Sequence, residues 1–148
     1  MEVRLATERD LPAILRMLFE DRATPSDELG VDDPCYLAAL REMHASGTSA
    51  TYVAEEGGEV VGTFMLIVLR HLMRRGTPVA QLEAVRIHSS FRNRGLGAQM
   101  IRWAISESKR RGCSRLELTT HKSRTSAQRF YERLGFHRTH EGLKLPLR

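Results

Sequence analysis

Residues 87–97 read Ile87-His88-Ser89-Ser90-Phe91-Arg92-Asn93-Arg94-Gly95-Leu96-Gly97. Before them, Val79 to His88 reads as a strand. After them, Gly95 to Arg111 carries Leu96, Met100, Trp103 and Ala104 on one stripe at helical spacing and stops at Gly112. The stretch is therefore a strand-to-helix turn. A helix N-terminus carries roughly half a positive charge and leaves N–H groups unpaired. Glycine lets an anion approach those groups closely, and Arg92 and Arg94 add full charge. Such a turn suits a pyrophosphate. The plainer alternative is that Gly95 and Gly97 merely start a helix. A Walker loop needs Gly-Lys-Ser/Thr after four spacers, which the sequence lacks. A dinucleotide fingerprint needs a third glycine where Met100 stands.

Working outward from the turn, Val3 to Leu5 reads as a short strand. Thr7-Glu8-Arg9-Asp10 is a capping-box-like start to a helix carrying Leu11, Ile14, Leu15 and Leu18. Asp21 to Asp32 is polar, holds Pro25 and Gly30, and reads as loop. Asp33-Pro34 is an N-cap with a first-turn proline. Tyr36, Leu37, Leu40 and Met43 then line a second helix that ends near Gly47. Thr51 to Glu55 and Val60 to Leu69, joined by Glu56-Gly57-Gly58-Glu59, form a hairpin pattern. Arg70 to Pro78 is a basic loop. Beyond the central helix, Arg115 to Thr120 is a strand and Ser123 to Leu134 a helix ended by Gly135. Phe136 to Leu147 reads as two short strands around His140-Glu141-Gly142, with Pro146 marking an edge. This order predicts an α/β fold, a mixed sheet with helices on its faces, in a single domain over residues 1–148.

Composition narrows the function classes. The chain has 148 residues, 41% apolar and 28% charged, as a globular domain does. The longest clean apolar run, Phe64 to Leu69, is far short of the ~20 residues a membrane helix needs. Arg4, Glu8, Arg9 and Asp10 interrupt any apolar leader, so no secretory signal and a cytoplasmic location are expected. Cys35 and Cys113 are too few for a disulfide scaffold, and no CxxC or Cys/His cluster points to zinc, so no metal is expected. The formal charge of +5 favours an anionic partner. Nucleic acid is a poor candidate for it: aromatics are 6% of the chain, the basic residues are spread out, and no helix-turn-helix or RNA-binding signature is present.

The central turn resembles the acetyl-CoA-binding segment of the GNAT superfamily of N-acetyltransferases, which usually reads V-x-P-x-x-R-G-x-G-x-G. Ala127 and Phe130-Tyr131-Glu132-Arg133-Leu134-Gly135-Phe136 resemble its second signature, A-x-x-x-Y-E-K-x-G-F. Val3 to Leu18 is similar to the family's first strand and helix. The resemblance spans nearly the whole chain, and two signatures in order are more specific than either alone. It implies six to seven strands and four helices, with the sheet splayed between its fourth and fifth strands and acetyl-CoA lying in the cleft. Backbone N–H groups of Arg92, Asn93, Arg94, Gly95, Leu96 and Gly97 would hold the pyrophosphate. The backbone of Val85 and Ile87 would pair with the pantetheine arm, and an N–H near Val85 would polarise the thioester carbonyl. Tyr131 would sit near the sulfur. Ser89 replaces the family's usual proline. Asn93 replaces its first glycine, a position asparagine fills in a left-handed turn. Arg124 stands where the family often has asparagine and is a candidate to reach a phosphate.

Acetyl transfer needs a neutral amine, although an alkyl ammonium has a pKa near ~10.4. It also needs a donor for the developing oxyanion and a proton for the leaving thiolate. Glu83 is the candidate base. A regular strand would place Glu83, Val85 and Ile87 on one face, and the alternative is a carboxylate paired with Arg86 or Lys122. Tyr131 is the candidate acid. Its alternative is packing, since Ala127, Phe130, Tyr131 and Leu134 form an i, i+3, i+4, i+7 stripe. His121 reads as a surface histidine. His137 and His140, on extended chain, would point to opposite faces and carry no metal. The acceptor would be a small-molecule or peptide amine. Asp21, Asp27, Glu28, Asp32 and Asp33 could attract a cation or simply be solvated. The family often forms dimers, so a homodimer is possible. A non-catalytic acyl-CoA-binding module on the same fold is the competing function.

Overall fold

The computed structural model describes residues 1–20 and 30–147, so the expected acids Asp21, Asp27 and Glu28 lie outside the described residues. The elements are β1 (Glu2–Leu5), α1 (Leu11–Glu20), α2 (Pro34–Ser46), β2 (Ser49–Glu56), β3 (Glu59–Arg70), β4 (Pro78–Ile87), α3 (Leu96–Arg110), β5 (Leu116–Leu118) and α4 (Thr125–Arg133). The chain divides into two compact units, Met1–Glu117 and Leu118–Arg148.

Local chemistry sets the helix ends. The Asp33 carboxylate accepts from the Cys35 N–H at 2.9 Å, Pro34 opens α2, and Gly47 closes it at φ 67°. Ahead of α1 a short 3-10 turn spans Glu8–Asp10, where Asp10 accepts from the Thr7 N–H at 2.7 Å. The strands run in sequence order, β1-β2-β3-β4-β5, with β1 to β4 antiparallel and β5 parallel to β4. At the start of β4 the Ala80 N–H donates to Arg115 O at 3.0 Å, and β4 then runs on to Ile87.

In the first unit both sheet faces are covered. Ile14 of α1 packs with Ala6 and Val53 on one face. On the other, Tyr52, Phe64 and Trp103 of α3 meet at ring separations of 5.0 to 5.9 Å. Met100, Ile101 and Ala104 of α3 are fully buried, so most of the expected stripe is core. Glycine at position 62 sits in a tight space between β4 and α3. A Cβ there would lie 2.7 Å from Ile87 Cδ1 and 3.2 Å from Met100 Sδ.

Five strands are present among the described residues, where six to seven were expected. Residues 136–147 form no strand. Leu143, Leu145 and Leu147 are 95%, 82% and 89% exposed, so no partner strand or core face covers their alternating apolar pattern. Extended backbone becomes a strand only when another strand takes its N–H and C=O groups.

One buried charge ties the N-terminal segment to the sheet. Arg4 grips Asp10 with its two terminal guanidinium nitrogens, Nη1 at 2.7 Å and Nη2 at 2.9 Å, and reaches Glu55 through Nε at 2.9 Å. The Arg4 hydrogen bonds hold the Asp10 carboxyl at about 2, below its ordinary 3.8. A carboxyl whose pKa is depressed on folding adds stability above its unfolded value and loses it as pH falls toward the folded one. Urea unfolding of the protein is therefore expected to lose about 2 kcal/mol between pH 4 and pH 2 through this group. Asp10→Asn should remove about 2 kcal/mol at pH 7 and flatten that acid limb. An unchanged acid limb in the variant would show that other carboxyls govern it.

Candidate active site

The turn after β4 is built on two left-handed residues. Asn93 sits at φ 62° and Gly95 at φ 76°. Asparagine tolerates the left-handed region better than most residues, and glycine enters it freely. The first helical bond of α3 runs from the Gln99 N–H to Gly95 O, at 3.2 Å. The N–H groups of Leu96, Gly97 and Ala98 thus precede the helical ladder, where a helix offers its positive end. An anion cradle would use this geometry.

Arginines flank it. Arg94 pairs with Glu56 at 3.2 Å, its guanidinium 5.1 Å from the Phe91 ring centre. Arg92 lies 3.5 Å from Glu20, and its Nε donates to Ile87 O at 3.2 Å. Glu20 also accepts from the Ser89 hydroxyl. The end of α1 therefore meets the cradle through a carboxylate. Glu20 and Glu56 were not expected in the site; each lies more than 35 residues from its arginine, and no local pattern marks such a pairing.

The strand leading into the cradle is irregular. Gly62 opposes Ile87, Thr63 opposes Arg86, and Met65 opposes Glu83. Between the last two pairs β3 uses Phe64 alone while β4 uses Ala84 and Val85. This is a β-bulge, and Ala84 takes φ 53° within it. The extra residue breaks the alternation expected of Glu83, Val85 and Ile87. Opposed residues share a face, and Gly62 and Met65 are an odd number of residues apart. Glu83 consequently projects on the face opposite Ile87. That is the face of α1, since Thr63 pairs with Val53, which packs on Ile14. Glu83 Oε1 accepts from Gln81 Nε2 at 2.8 Å. The Val85 carbonyl accepts from Arg86 Nη1 at 2.8 Å.

In the second unit, Tyr131 lies on α4. Its ring meets Phe130 at 5.1 Å and Phe136 at 5.7 Å, both edge to face. Ala127, Phe130, Tyr131 and Leu134 are all half-buried, as a packed stripe requires. Arg124 is exposed at the start of α4, and its N–H donates to His121 O at 2.9 Å. His121 is exposed and bonds Ser123 Oγ through Nδ1 at 2.7 Å. Among the described residues no group of three or more His, Cys, Asp and Glu side chains is arranged to hold a metal. Nor is any helix among them long and apolar enough to cross a membrane.

Residues 13–136 match the model of the acetyltransferase (GNAT) family. The chain is 29% identical over 141 residues to a glucosamine 6-phosphate N-acetyltransferase of Trypanosoma brucei brucei, covering 95% of this chain and 91% of the relative. It is 30% identical over 117 residues to an aminoglycoside N(6')-acetyltransferase type 1 of Salmonella typhimurium, covering 74% of this chain and 77% of the relative. The solved structure of a transcriptional regulator from Bacillus halodurans C-125 superposes with a TM-score of 0.88 at 38% identity, covering 99% of each chain. With both signatures in order and the family model matched across most of the chain, the chain belongs to the acetyltransferase (GNAT) family, in which the first two relatives named above are N-acetyltransferases.

Proposed function

We propose that the protein transfers the acetyl group of acetyl-CoA to a primary amine by direct attack within a ternary complex. The observation that carries this reading is the cradle: a helix N-terminus opened by two left-handed residues and flanked by Arg92 and Arg94. Backbone N–H groups from Arg92 to Gly97 hold the pyrophosphate, and Arg124 is a further phosphate contact. The bound thioester supplies an activated acetyl group. Val85 and Ile87 hold the pantetheine arm through their backbone. A bulge frees backbone groups from the ladder, which supports an N–H near Val85 as the donor to the carbonyl oxygen. Glu83, directly or through water, takes the ammonium proton. The amine nitrogen then bonds to the acetyl carbon, the carbon–sulfur bond breaks, Tyr131 protonates the departing sulfur, and the second proton shed by the nitrogen passes through water to restore the Tyr131 phenol. No covalent enzyme intermediate is involved. Two cysteines in the whole chain are too few for a disulfide scaffold, which supports a reducing cytoplasm as the place of action.

A thermal melt with acetyl-CoA, run beside an equal concentration of ATP, tests the cofactor site. Acetyl-CoA at ~100 times its dissociation constant should stabilise by about 2.7 kcal/mol, a rise of several degrees. ATP should give none. No shift with either ligand overturns the reading.

The resemblance to a transcriptional regulator favours a second reading, a non-catalytic acyl-CoA-binding module. An amine panel with thiol detection separates the two. CoA release with any amine excludes the module, whereas an acetyl-CoA melt shift without release from any amine supports it.

A further inference from the structure

Between α1, α2 and the sheet lies a cavity of about 160 Å³. Leu15 and Leu18 of α1, Leu40 and Met43 of α2, Met65 of β3 and Ala84 of β4 are among its walls. Among the described residues its lining includes no charged side chain. Its polar side chains are Tyr36, Thr51 and Thr63, and the Thr63 hydroxyl is committed to Tyr52 O at 2.9 Å. An enclosed apolar cavity of about 150 Å³ takes up benzene, so this volume, open on one side, has room for a ring of that size.

Its position is as telling as its lining. Ala84 is the bulge residue, next to Glu83, and the bulge turns Glu83 to this same face. Ala39 and Ala84 are exposed while lining the cavity, so small side chains stand at its mouth. An amine nitrogen held near Glu83 has an apolar compartment beside it. A phosphosugar or a polycation would have to strand its polar groups there, at a cost no partner offsets.

We infer that this cavity selects the acceptor: the amine carries an apolar group of about phenyl size, joined to the nitrogen through a short chain. This rests on the proposed transfer reaction and makes the same bonds. It names the substrate class as arylalkyl or branched alkyl amines.

The test compares ethylamine, phenethylamine and glucosamine 6-phosphate by CoA release, and measures phenethylamine binding directly by calorimetry. Phenethylamine should exceed ethylamine by at least about tenfold in kcat/KM, since even one methylene in an apolar pocket is worth that much. Ala39→Phe places a ring at the exposed mouth, and Ala39→Leu is a milder variant. Either should reduce the advantage to within about twofold, with the acetyl-CoA melt shift retained as proof of fold and cofactor site. Calorimetric binding of phenethylamine without CoA release from any amine would uphold the cavity and overturn the transfer reaction. CoA release with glucosamine 6-phosphate at or above the phenethylamine rate, and no phenethylamine binding, would overturn the cavity and leave the reaction standing. Neither binding nor release would overturn both.

Discussion

Tyr131→Phe is expected to lower kcat by about 10²-fold and to leave acetyl-CoA affinity within about twofold. The substitution removes one hydroxyl and keeps the ring. The ring is what Phe130 and Phe136 hold, edge to face at 5.1 and 5.7 Å, so packing within this unit survives. General acids contribute about 10² to 10⁴ in rate. The leaving thiol has a pKa of only ~8.5, which makes its departure the least demanding step and places the loss at the low end of that range. Steady-state kinetics give kcat, and the acetyl-CoA melt shift reports affinity separately. An unchanged kcat removes Tyr131 from the chemistry and returns it to packing, the reading its helical stripe supports equally well. A lost melt shift would instead make it a cofactor-binding residue.

What the sequence made legible was whatever depends on neighbouring residues. Asp33-Pro34 and Gly47 bracket α2 as read, because an N-cap carboxylate, a first-turn proline and a left-handed C-terminal glycine act within one turn. Asn93 and Gly95 adopt the left-handed conformations their side chains permit. Leu96, Met100 and Ala104 are buried because a 3.6-residue period puts them on one face. The bulge was not legible. Ala84 carries no glycine signal, and the extra residue exists only in relation to the register of β3. Its consequence, Glu83 on the face of α1, was therefore misread as regular alternation. Glu20 and Glu56 escaped for a similar reason, since their arginine partners are brought to them by the fold. The expected C-terminal strands show the same limit. Leu143, Leu145 and Leu147 alternate as a strand should, yet a strand also needs a partner. Local conformation was readable, and pairing was not.

Replacing Arg92 and Arg94 together by glutamate is expected to weaken acetyl-CoA binding by about 10² to 10⁴-fold. Each charge-assisted hydrogen bond to a phosphate contributes about 1.5–3 kcal/mol, so the loss of two such bonds spans that range, and the new carboxylates add repulsion. The present partners of these arginines make the exchange cheap. The Arg92–Glu20 and Arg94–Glu56 pairs are partly exposed, at 41% and 34% and at 53% and 32% of their side chains. Surface pairs of this kind contribute roughly 0–1 kcal/mol each. A pyrophosphate bound here would therefore displace Glu20 and Glu56 at little cost, and the double variant should melt within a few degrees of the parent when no ligand is present. The helix N-terminus, Asn93 and Gly95 are untouched, so a loss of affinity reports the side-chain charges alone. The effect should also be salt-dependent, shrinking as ionic strength screens the parent's charges. If the double variant keeps its acetyl-CoA melt shift and its KM, the pyrophosphate does not lie between these arginines, and the cradle is only the start of a helix.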